Sequence, residues 1–122
     1  MNNRMIDYYL KVAEQTANLS RAKRLRVGCI VVKDDAIISQ GWNGTPRGFD
    51  NNCEDFIDGQ LKTKPEVVHA EINALSKIAK STHSSDDAIM FLTHSPCYEC
   101  SKAIIQSGIK AVYFKHPYRD EK

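Results

Sequence analysis

The chain has 122 residues, of which 42% are hydrophobic and 26% are charged, and its formal net charge is +2. This length predicts one domain, residues 1–122, that can bury a hydrophobic core, and the composition is ordinary for a globular protein. The modest charge argues against a nucleic-acid-binding domain, and the lack of an apolar run of about 18 residues argues against a membrane span.

The first half of the chain predicts one helix followed by a hairpin. Residues 4–19 carry apolar side chains at three- and four-residue spacing, which predicts a helix that covers one face of a sheet. Two β-branched runs, residues 27–33 and 36–40, flank Asp34-Asp35, whose turn chemistry predicts two antiparallel strands. Cys29 lies in the first strand, and we expect it to be a small buried hydrophobe.

A basic stretch precedes the first strand, and a long loop follows the second. The stretch has two interpretations, a solvated loop after the helix or a phosphate contact on a nucleotide or RNA. Its basic residues are Arg21, Lys23, Arg24 and Arg26. Residues 41–55 are rich in Gly, Pro, Asn and Asp, which predicts a loop that is functional, and residues 56–65 are expected to be irregular.

The second half alternates helices and strands. Residues 67–80 predict a helix with His69 and Glu71 in its first turn. Side chains two positions apart on an ideal helix point about 200° away from each other, so both can face one site only if this first turn is distorted or lies where the helix axis meets the metal. Residues 88–93 form an apolar run typical of a strand buried on both faces. A helix with Ser95 as N-cap and Pro96 at its first position follows, ends at Gly108, and precedes a strand at 111–115. This alternation predicts parallel pairing and an α/β sandwich with a mixed sheet.

Two short motifs contain the residues best suited to metal chemistry. His69-Ala70-Glu71 supplies an imidazole and a carboxylate, and Cys97 and Cys100 supply two thiols at C-x-x-C spacing. One nitrogen and two sulfurs without an evident fourth ligand are typical of a catalytic zinc site that keeps a position for water. Zinc lowers the pKa of that water from 15.7 toward about 7, and Glu71 could carry protons to and from it. The combination H-x-E…P-C-x-x-C is the known signature of zinc deaminases.

Each motif also has a simpler interpretation. The C-x-x-C alone could be a redox pair, and a closed structural zinc site would recruit His94 or Cys53 as its fourth ligand. His83 and His116 are expected to be exposed loop residues. A Pro-Cys-x-x-Cys with a partner histidine favours a reduced, cytoplasmic protein with a metal over a secreted protein with disulfides. Arg4 near the start argues against a signal peptide.

From residue 26 to residue 118 the sequence resembles the cytidine and deoxycytidylate deaminase superfamily, and within it most closely the dCMP deaminases. The resemblance is carried by residues 27–33, 41–48, 52–53, 69–74 and 95–100. The Asn-Gly-Thr-Pro-x-Gly stretch distinguishes the chain from the tRNA adenosine deaminases, which share the zinc motifs. The resemblance implies a cytidine-deaminase-like three-layer α/β/α sandwich with a mixed sheet of four to five strands.

The resemblance also implies a function and a set of site residues. The implied reaction is the hydrolytic deamination of dCMP to dUMP and ammonia, which supplies dUMP for thymidylate synthesis. The implied zinc ligands are His69, Cys97 and Cys100, with Glu71 as proton shuttle. The expected substrate contacts are Asn43 and Thr45 in the loop, the backbone N–H of Ala70, and Ser95. The candidate cations and donors for a phosphate are Arg26, Arg47, Tyr118 and Arg119.

Members of this family suggest further partners. The resemblance implies a homo-oligomer, with a hexamer favoured, and regulation by dCTP and dTTP, with Mg²⁺ accompanying a triphosphate effector. One catalytic zinc ion is expected and no second zinc. The alternatives are a deaminase that acts on a nucleoside or a polynucleotide, as the tRNA adenosine deaminases do, and a non-catalytic interaction module stabilised by structural zinc.

Overall fold

A computed structural model describes residues 1–117 of the chain. The elements in chain order are α1 (Asn3–Ala17), β1 (Gly28–Lys33), β2 (Ala36–Trp42), β3 (Glu54–Ile57), β4 (Gln60–Thr63), α2 (Ala70–Ala79), β5 (Ile89–His94), α3 (Tyr98–Gln106) and β6 (Ala111–His116). None of the helices in this described part combines the length and the apolarity that crossing a bilayer requires.

Four strands form one mixed sheet in the order β2-β1-β5-β6. β1 pairs antiparallel with both β2 and β5, and β5 pairs parallel with β6. The hairpin turn between β1 and β2 is made by Asp34 and Asp35, whose φ angles of 51° and 61° suit a two-residue turn that follows the twist of the strands. The predicted hairpin and the predicted parallel pair are both confirmed.

Helices cover both faces of this sheet. Successive strand residues point to opposite faces, so β1 and β5 contribute to two cores. On one face α1 packs on residues of β1 and β5, and this core contains Tyr9, Ala13, Ile30, Val32 and Phe91. On the other face α2 and α3 pack on the alternate strand residues, and this core contains Cys29, Val31, Ala74, Met90, Leu92 and Ile104. The predicted α/β/α sandwich is confirmed, and Cys29 is a fully buried hydrophobe as expected.

Two glycines let helices approach the sheet closely. A Cβ atom on Gly28 would lie 2.0 Å from the carbonyl oxygen of Ala13 in α1. A Cβ atom on Gly41 would lie 2.4 Å from the carbonyl oxygen of Ala70, in the first turn of α2. Only a residue without a side chain fits these positions. Gly41 therefore sets how closely the start of α2, which carries Glu71, lies on the sheet.

The prediction that residues 41–65 lack regular structure is wrong over part of this range. β3 and β4 form an antiparallel hairpin, and its turn at Asp58-Gly59 has positive φ angles of 52° and 76°. Seven of its eight strand residues are exposed, and only Glu54 is buried. The alternation of buried and exposed side chains that reveals a strand is therefore missing, although Asp-Gly is itself a hairpin signal.

Both helices that carry the metal motifs begin later than predicted. Val68 exchanges backbone hydrogen bonds with Gly44, at 2.7 and 3.1 Å, so α2 cannot start at residue 67 and His69 is its N-cap. The N–H of Ser95 donates to the carbonyl of His116 at 2.9 Å, which keeps Ser95 on the sheet. The N-cap of α3 is Cys97, not the predicted Ser95, because long-range backbone pairing overrides the local start signal.

Candidate active site

Three donor atoms meet where α2 and α3 begin. His69 Nδ1 lies 3.2 Å from Cys100 Sγ and 3.6 Å from Cys97 Sγ. Within residues 1–117 this is the one group of His, Cys, Asp or Glu side chains whose ligand atoms come close enough to hold a metal. His94 and Cys53, the two alternative fourth ligands, do not belong to this group.

The spacing and the surroundings of these atoms suit zinc. In tetrahedral coordination, Zn–N bonds of about 2.0 Å and Zn–S bonds of about 2.3 Å separate nitrogen and sulfur by about 3.5 Å. His69 is the N-cap of α2 and Cys97 is the N-cap of α3, so both helix N-termini lie at the cluster. The positive end of a helix dipole stabilises thiolates. Cys97 Sγ also accepts a hydrogen bond from the backbone N–H of Cys100 at 3.4 Å. The donor set therefore fits a zinc ion with one coordination position left open.

Glu71 lies beside this cluster and is buried, with 4% of its surface exposed. Burial raises the pKa of its carboxyl, and the backbone N–H of Glu71 and the charge of His69 oppose this rise. Burial also raises the pKa of the Cys100 thiol, and the Glu71 carboxylate adds to this increase. A bound divalent cation would relieve the repulsion among these acidic groups, which is further support for a metal at this position.

The extended backbone of His69 explains how the His69 and Glu71 side chains can face one site although they are two positions apart. His69 has φ −71° and ψ 155°, so it lies outside the helix, while Glu71 is in the first turn of α2. The relation of about 200° between positions i and i+2 holds only inside a helix. Both side chains can therefore face the same pocket.

A pocket of about 550 Å³, including its open mouth, lies next to the cluster. Its lining residues are Arg24, Leu25, Val27, Asn43, Thr63, Val67, His69, Ala70, Glu71, His94, Ser95 and Cys97. Six of the predicted site residues are brought together here: His69, Cys97, Glu71, Asn43, Ala70 and Ser95. The sequence did not single out His94 as a substrate contact, and Arg24 appeared only as one member of the basic stretch.

Three other predicted substrate contacts, all within the described residues, do not line this pocket. Thr45 Oγ1 donates to the carbonyl of Asp50 at 2.5 Å, and Arg26 Nε donates to the carbonyl of Ala22 at 3.1 Å. Arg47 is also absent from the lining. Tyr118 and Arg119 lie outside the residues that the structure describes. The substrate roles of these five residues stay predictions.

The Asn43 side chain has backbone partners in addition to its place in the pocket. Its Oδ1 accepts from the N–H of Val27 at 2.9 Å, and its Nδ2 donates to the carbonyl of Leu25 at 2.8 Å. Asn43 thereby ties the end of β2 to the segment that leads into β1. An amide is suited to this because it can donate and accept at the same time.

Comparison with known proteins places this site in a family. A sequence model of the cytidine and deoxycytidylate deaminase zinc-binding region matches residues 3–116. ComE operon protein 2 of Bacillus subtilis is 36% identical over 123 residues, which cover 93% of this chain and 63% of that protein. Human deoxycytidylate deaminase is 37% identical over 117 residues, covering 88% of this chain and 62% of the human protein. The chain therefore spans somewhat under two thirds of these relatives.

A solved structure supports the same assignment. The dCMP deaminase from the cyanophage S-TIM5, in complex with dCMP and dUMP, has 49% sequence identity and a TM-score of 0.91. The match covers 98% of this chain and 86% of the cyanophage chain. The resemblance seen in the motifs is thereby confirmed. The chain belongs to the zinc-binding cytidine and deoxycytidylate deaminase family.

Proposed function

We propose that this protein is a zinc-dependent deaminase that converts dCMP to dUMP and ammonia and so supplies dUMP for thymidylate synthesis. The observation that carries the proposal is the cluster of His69, Cys97 and Cys100 with Glu71 beside it at the wall of a pocket. The cyanophage relative, which was solved with dCMP and dUMP, supports this choice of substrate and product.

In this proposal His69 Nδ1 and the sulfurs of Cys97 and Cys100 hold the zinc ion. When bound, zinc lowers the pKa of a coordinated water toward about 7 and makes a nucleophile available at neutral pH. Glu71 would accept one proton from water as the oxygen adds at C4 of the pyrimidine, and would deliver this proton to ring nitrogen N3. It would then take the second proton from the hydroxyl at C4 and deliver it to the amino group, which leaves as ammonia. Burial raises the pKa of Glu71, and a raised pKa suits a carboxylate that must both accept and donate a proton.

The backbone around Glu71 can orient the pyrimidine. Ala70 is the first residue of α2, and its N–H is one of the donors that a helix leaves without an intrahelical partner. This N–H faces the pyrimidine carbonyl in the proposed complex. Asn43 and Ser95 line the same pocket. In the proposed complex they contact the sugar and the phosphate.

The proposal extends to assembly and regulation. It comprises a cytoplasmic homo-oligomer, with a hexamer favoured, activated by dCTP and inhibited by dTTP, with Mg²⁺ bound alongside the triphosphate. Large apolar side chains that are mostly exposed support an interface with other copies, and they include Phe56, Tyr98 and Ile105. Light scattering on the purified protein, with and without each triphosphate, measures the assembly.

The reaction is tested with purified, zinc-loaded protein and a panel of dCMP, CMP, deoxycytidine and an adenosine-containing tRNA. We expect dCMP to lose its amino group fastest, with dUMP identified by chromatography. Preference for deoxycytidine or for the tRNA adenosine would contradict the proposed substrate. Retained zinc without turnover of any substrate would contradict the enzymatic assignment.

A further inference from the structure

The segment between α1 and β1 brings one positive charge to the pocket. Residues 18–27 form neither helix nor strand, and four of them are Lys or Arg. Arg24 is the one Lys or Arg that lines the pocket within the described part of the chain. Its side chain is exposed and forms no ion pair with any residue in 1–117. The guanidinium is therefore available to an anionic ligand.

A buried carboxylate holds the backbone of this segment. Glu54 lies at the start of β3 and is 5% exposed. Its Oε2 accepts hydrogen bonds from the backbone N–H groups of Lys23 at 2.8 Å and Arg24 at 3.0 Å. Its Oε1 is buried and has no hydrogen-bond partner among residues 1–117. Glu54 thus forms its hydrogen bonds with the backbone of Lys23 and Arg24, and this backbone determines where the Arg24 side chain starts.

The segment is held at its other end by Asn43, which pairs with the backbone of Leu25 and Val27. Side chains from two later parts of the chain therefore fix the path of residues 23–27. Such anchoring matters because this segment has no regular backbone pairing of its own. With the backbone fixed on both sides of Arg24, the Arg24 side chain starts from a defined backbone position at the pocket wall.

The negative charge of Glu54 contributes more than the acceptance of two backbone hydrogen bonds. A glutamine amide could also accept from the two N–H groups, and either side chain would leave one buried polar group without a partner among residues 1–117, so this cost does not favour glutamine. The full negative charge strengthens both hydrogen bonds. The charge also offsets the mutual repulsion of the four neighbouring basic residues. This lowers the free-energy cost of holding the segment in a fixed arrangement at the pocket.

We propose that Arg24 binds the 5′-phosphate of the nucleotide and that Glu54 is a positioning residue that orients Arg24 through its backbone. This inference rests on the proposed nucleotide deaminase function. A guanidinium offers a planar pair of donors that matches two phosphate oxygens, which an exposed lysine does not. Arg24 thereby makes the pocket prefer a nucleotide to a nucleoside.

The test compares kcat/KM for dCMP with kcat/KM for deoxycytidine, which lacks the phosphate. We expect Arg24→Gln to lower this ratio about 10- to 100-fold, mainly through KM for dCMP, because a charge-assisted contact is lost. Glu54→Gln should lower the ratio about 3- to 10-fold through the same contact. Lys23→Gln removes a neighbouring charge outside the pocket and is the matched control, with a change below about twofold.

The double variant separates positioning from general stability. If Glu54 acts through Arg24, Glu54→Gln in the Arg24→Gln background causes no further fall in the substrate ratio. A general loss of stability would lower turnover of both substrates alike and leave the ratio unchanged. If Glu54→Gln does not fold, Glu54→Asp keeps the charge, shortens its reach, and should show the same non-additive loss.

Two outcomes would overturn the inference while leaving deamination intact: an unchanged ratio in Arg24→Gln, or equal effects of Arg24→Gln and Lys23→Gln. Failure of the proposed function is distinguishable, since the wild-type protein would then deaminate neither substrate. Calorimetry with dUMP and deoxyuridine still decides the inference in that case. Arg24→Gln should weaken binding of dUMP about 10- to 100-fold relative to deoxyuridine, and equal affinities would contradict it.

Discussion

At the scale of single residues, the site depends on polar groups that are buried next to one another. Glu71 and Cys100 are nearly inaccessible to solvent, and the Glu71 carboxylate raises the pKa of the Cys100 thiol, whereas the hydrogen bond from this thiol opposes the rise in the pKa of Glu71. Such pairs are uncommon unless a cation or a reaction requires them. The burial of Glu71 is therefore a stronger indication of chemistry than its place in the motif.

The first prediction concerns Glu71 itself. Glu71→Gln keeps the size of the side chain but removes the proton shuttle, so we expect kcat for dCMP to fall by about 10² to 10⁴ while the protein keeps its zinc. Steady-state kinetics and metal analysis on the same preparation measure this. Glu99→Gln, an exposed carboxylate in the first turn of α3, is the matched control. Comparable losses in the two variants would refute a special role for Glu71.

The second prediction concerns the ligand set. His69→Ala removes the nitrogen donor, and we expect the purified protein to hold less than about a tenth of the zinc of the wild type, because two thiolates alone form an incomplete site. Inductively coupled plasma mass spectrometry reports the content. His83→Ala is the control, since His83 is an exposed loop histidine, as the sequence predicted. Full zinc content in His69→Ala would show that other residues bind the metal.

At the scale of elements, the approach of α2 to β2 determines where Glu71 lies. Ser39 Oγ donates to the carbonyl of Ala74 at 2.8 Å, and Asn73 Nδ2 donates to the carbonyl of Trp42 at 2.7 Å. Gly41 lies between these contacts and permits them, since a side chain there would meet the helix backbone. The helix start is thus fixed by packing against a strand 30 residues earlier.

The third prediction tests this packing. Gly41→Ala forces a Cβ into the backbone of α2, so we expect it to destabilise the protein by at least about 2 kcal/mol and to reduce activity by displacing Glu71. Urea unfolding measures the stability. Gly44→Ala is the matched control, because no atom lies within 4 Å of its added Cβ. A stable Gly41→Ala variant would show that α2 can shift without cost.

At the scale of the whole molecule, the candidate metal site joins two helices on one face of the sheet. His69 and Cys97 are the N-caps of α2 and α3, and Cys100 lies in the first turn of α3, which follows β5 in the chain. A metal that binds the folded protein and not the unfolded chain stabilises the fold by mass action. The site can therefore contribute to stability as well as to catalysis.

The fourth prediction follows from this linkage. Removing zinc with a chelator should lower the melting temperature by an amount on the order of 10 °C, and added zinc should restore it. Scanning calorimetry measures the shift. His69→Ala should not respond to the chelator. An equal shift in the wild type and in this variant would point to a metal elsewhere.

The fifth prediction concerns alkaline pH and the opposite face of the sheet. Burial, followed by the charge of Asp35 and by Tyr8, raises the pKa of Tyr9, whose hydroxyl donates to the carbonyl of Asp35 at 3.3 Å. Below pH 10 the phenol is protonated in both the folded and the unfolded states, so it adds no pH dependence. As the pH rises above 10, the unfolded chain loses this proton first, and the free energy of unfolding falls.

Urea unfolding between pH 8 and pH 11 tests this sign. Tyr9→Phe should show a shallower decline than the wild type, because it lacks the group that ionises preferentially in the unfolded state. Tyr8→Phe, which removes an exposed tyrosine and retains Tyr9, should keep most of the wild-type slope, because Tyr8 is the smallest of the three causes that raise the pKa of Tyr9. Parallel curves for all three proteins would contradict the role of Tyr9.

The features that the sequence predicted well depend on local chemistry. The Asp34-Asp35 turn, the apolar run of β5 and the glycine that follows α3 each follow from the preferences of a few neighbouring residues. The H-x-E and C-x-x-C motifs name donor atoms suited to zinc, and donor chemistry does not depend on the path of the chain. The fold class and the family could be predicted for the same reason.

Only the tertiary structure decided which polar groups are buried and which face the pocket. The extended conformation before α2 depends on the pairing of Val68 with Gly44, and the burial of Glu54 depends on Lys23 and Arg24, about 30 residues earlier. The sequence suggested Arg26 of the basic stretch as a phosphate candidate, whereas Arg24 is the member of this stretch that lines the pocket. Contacts with distant segments distinguish them, because burial and direction depend on partners that the local pattern does not contain.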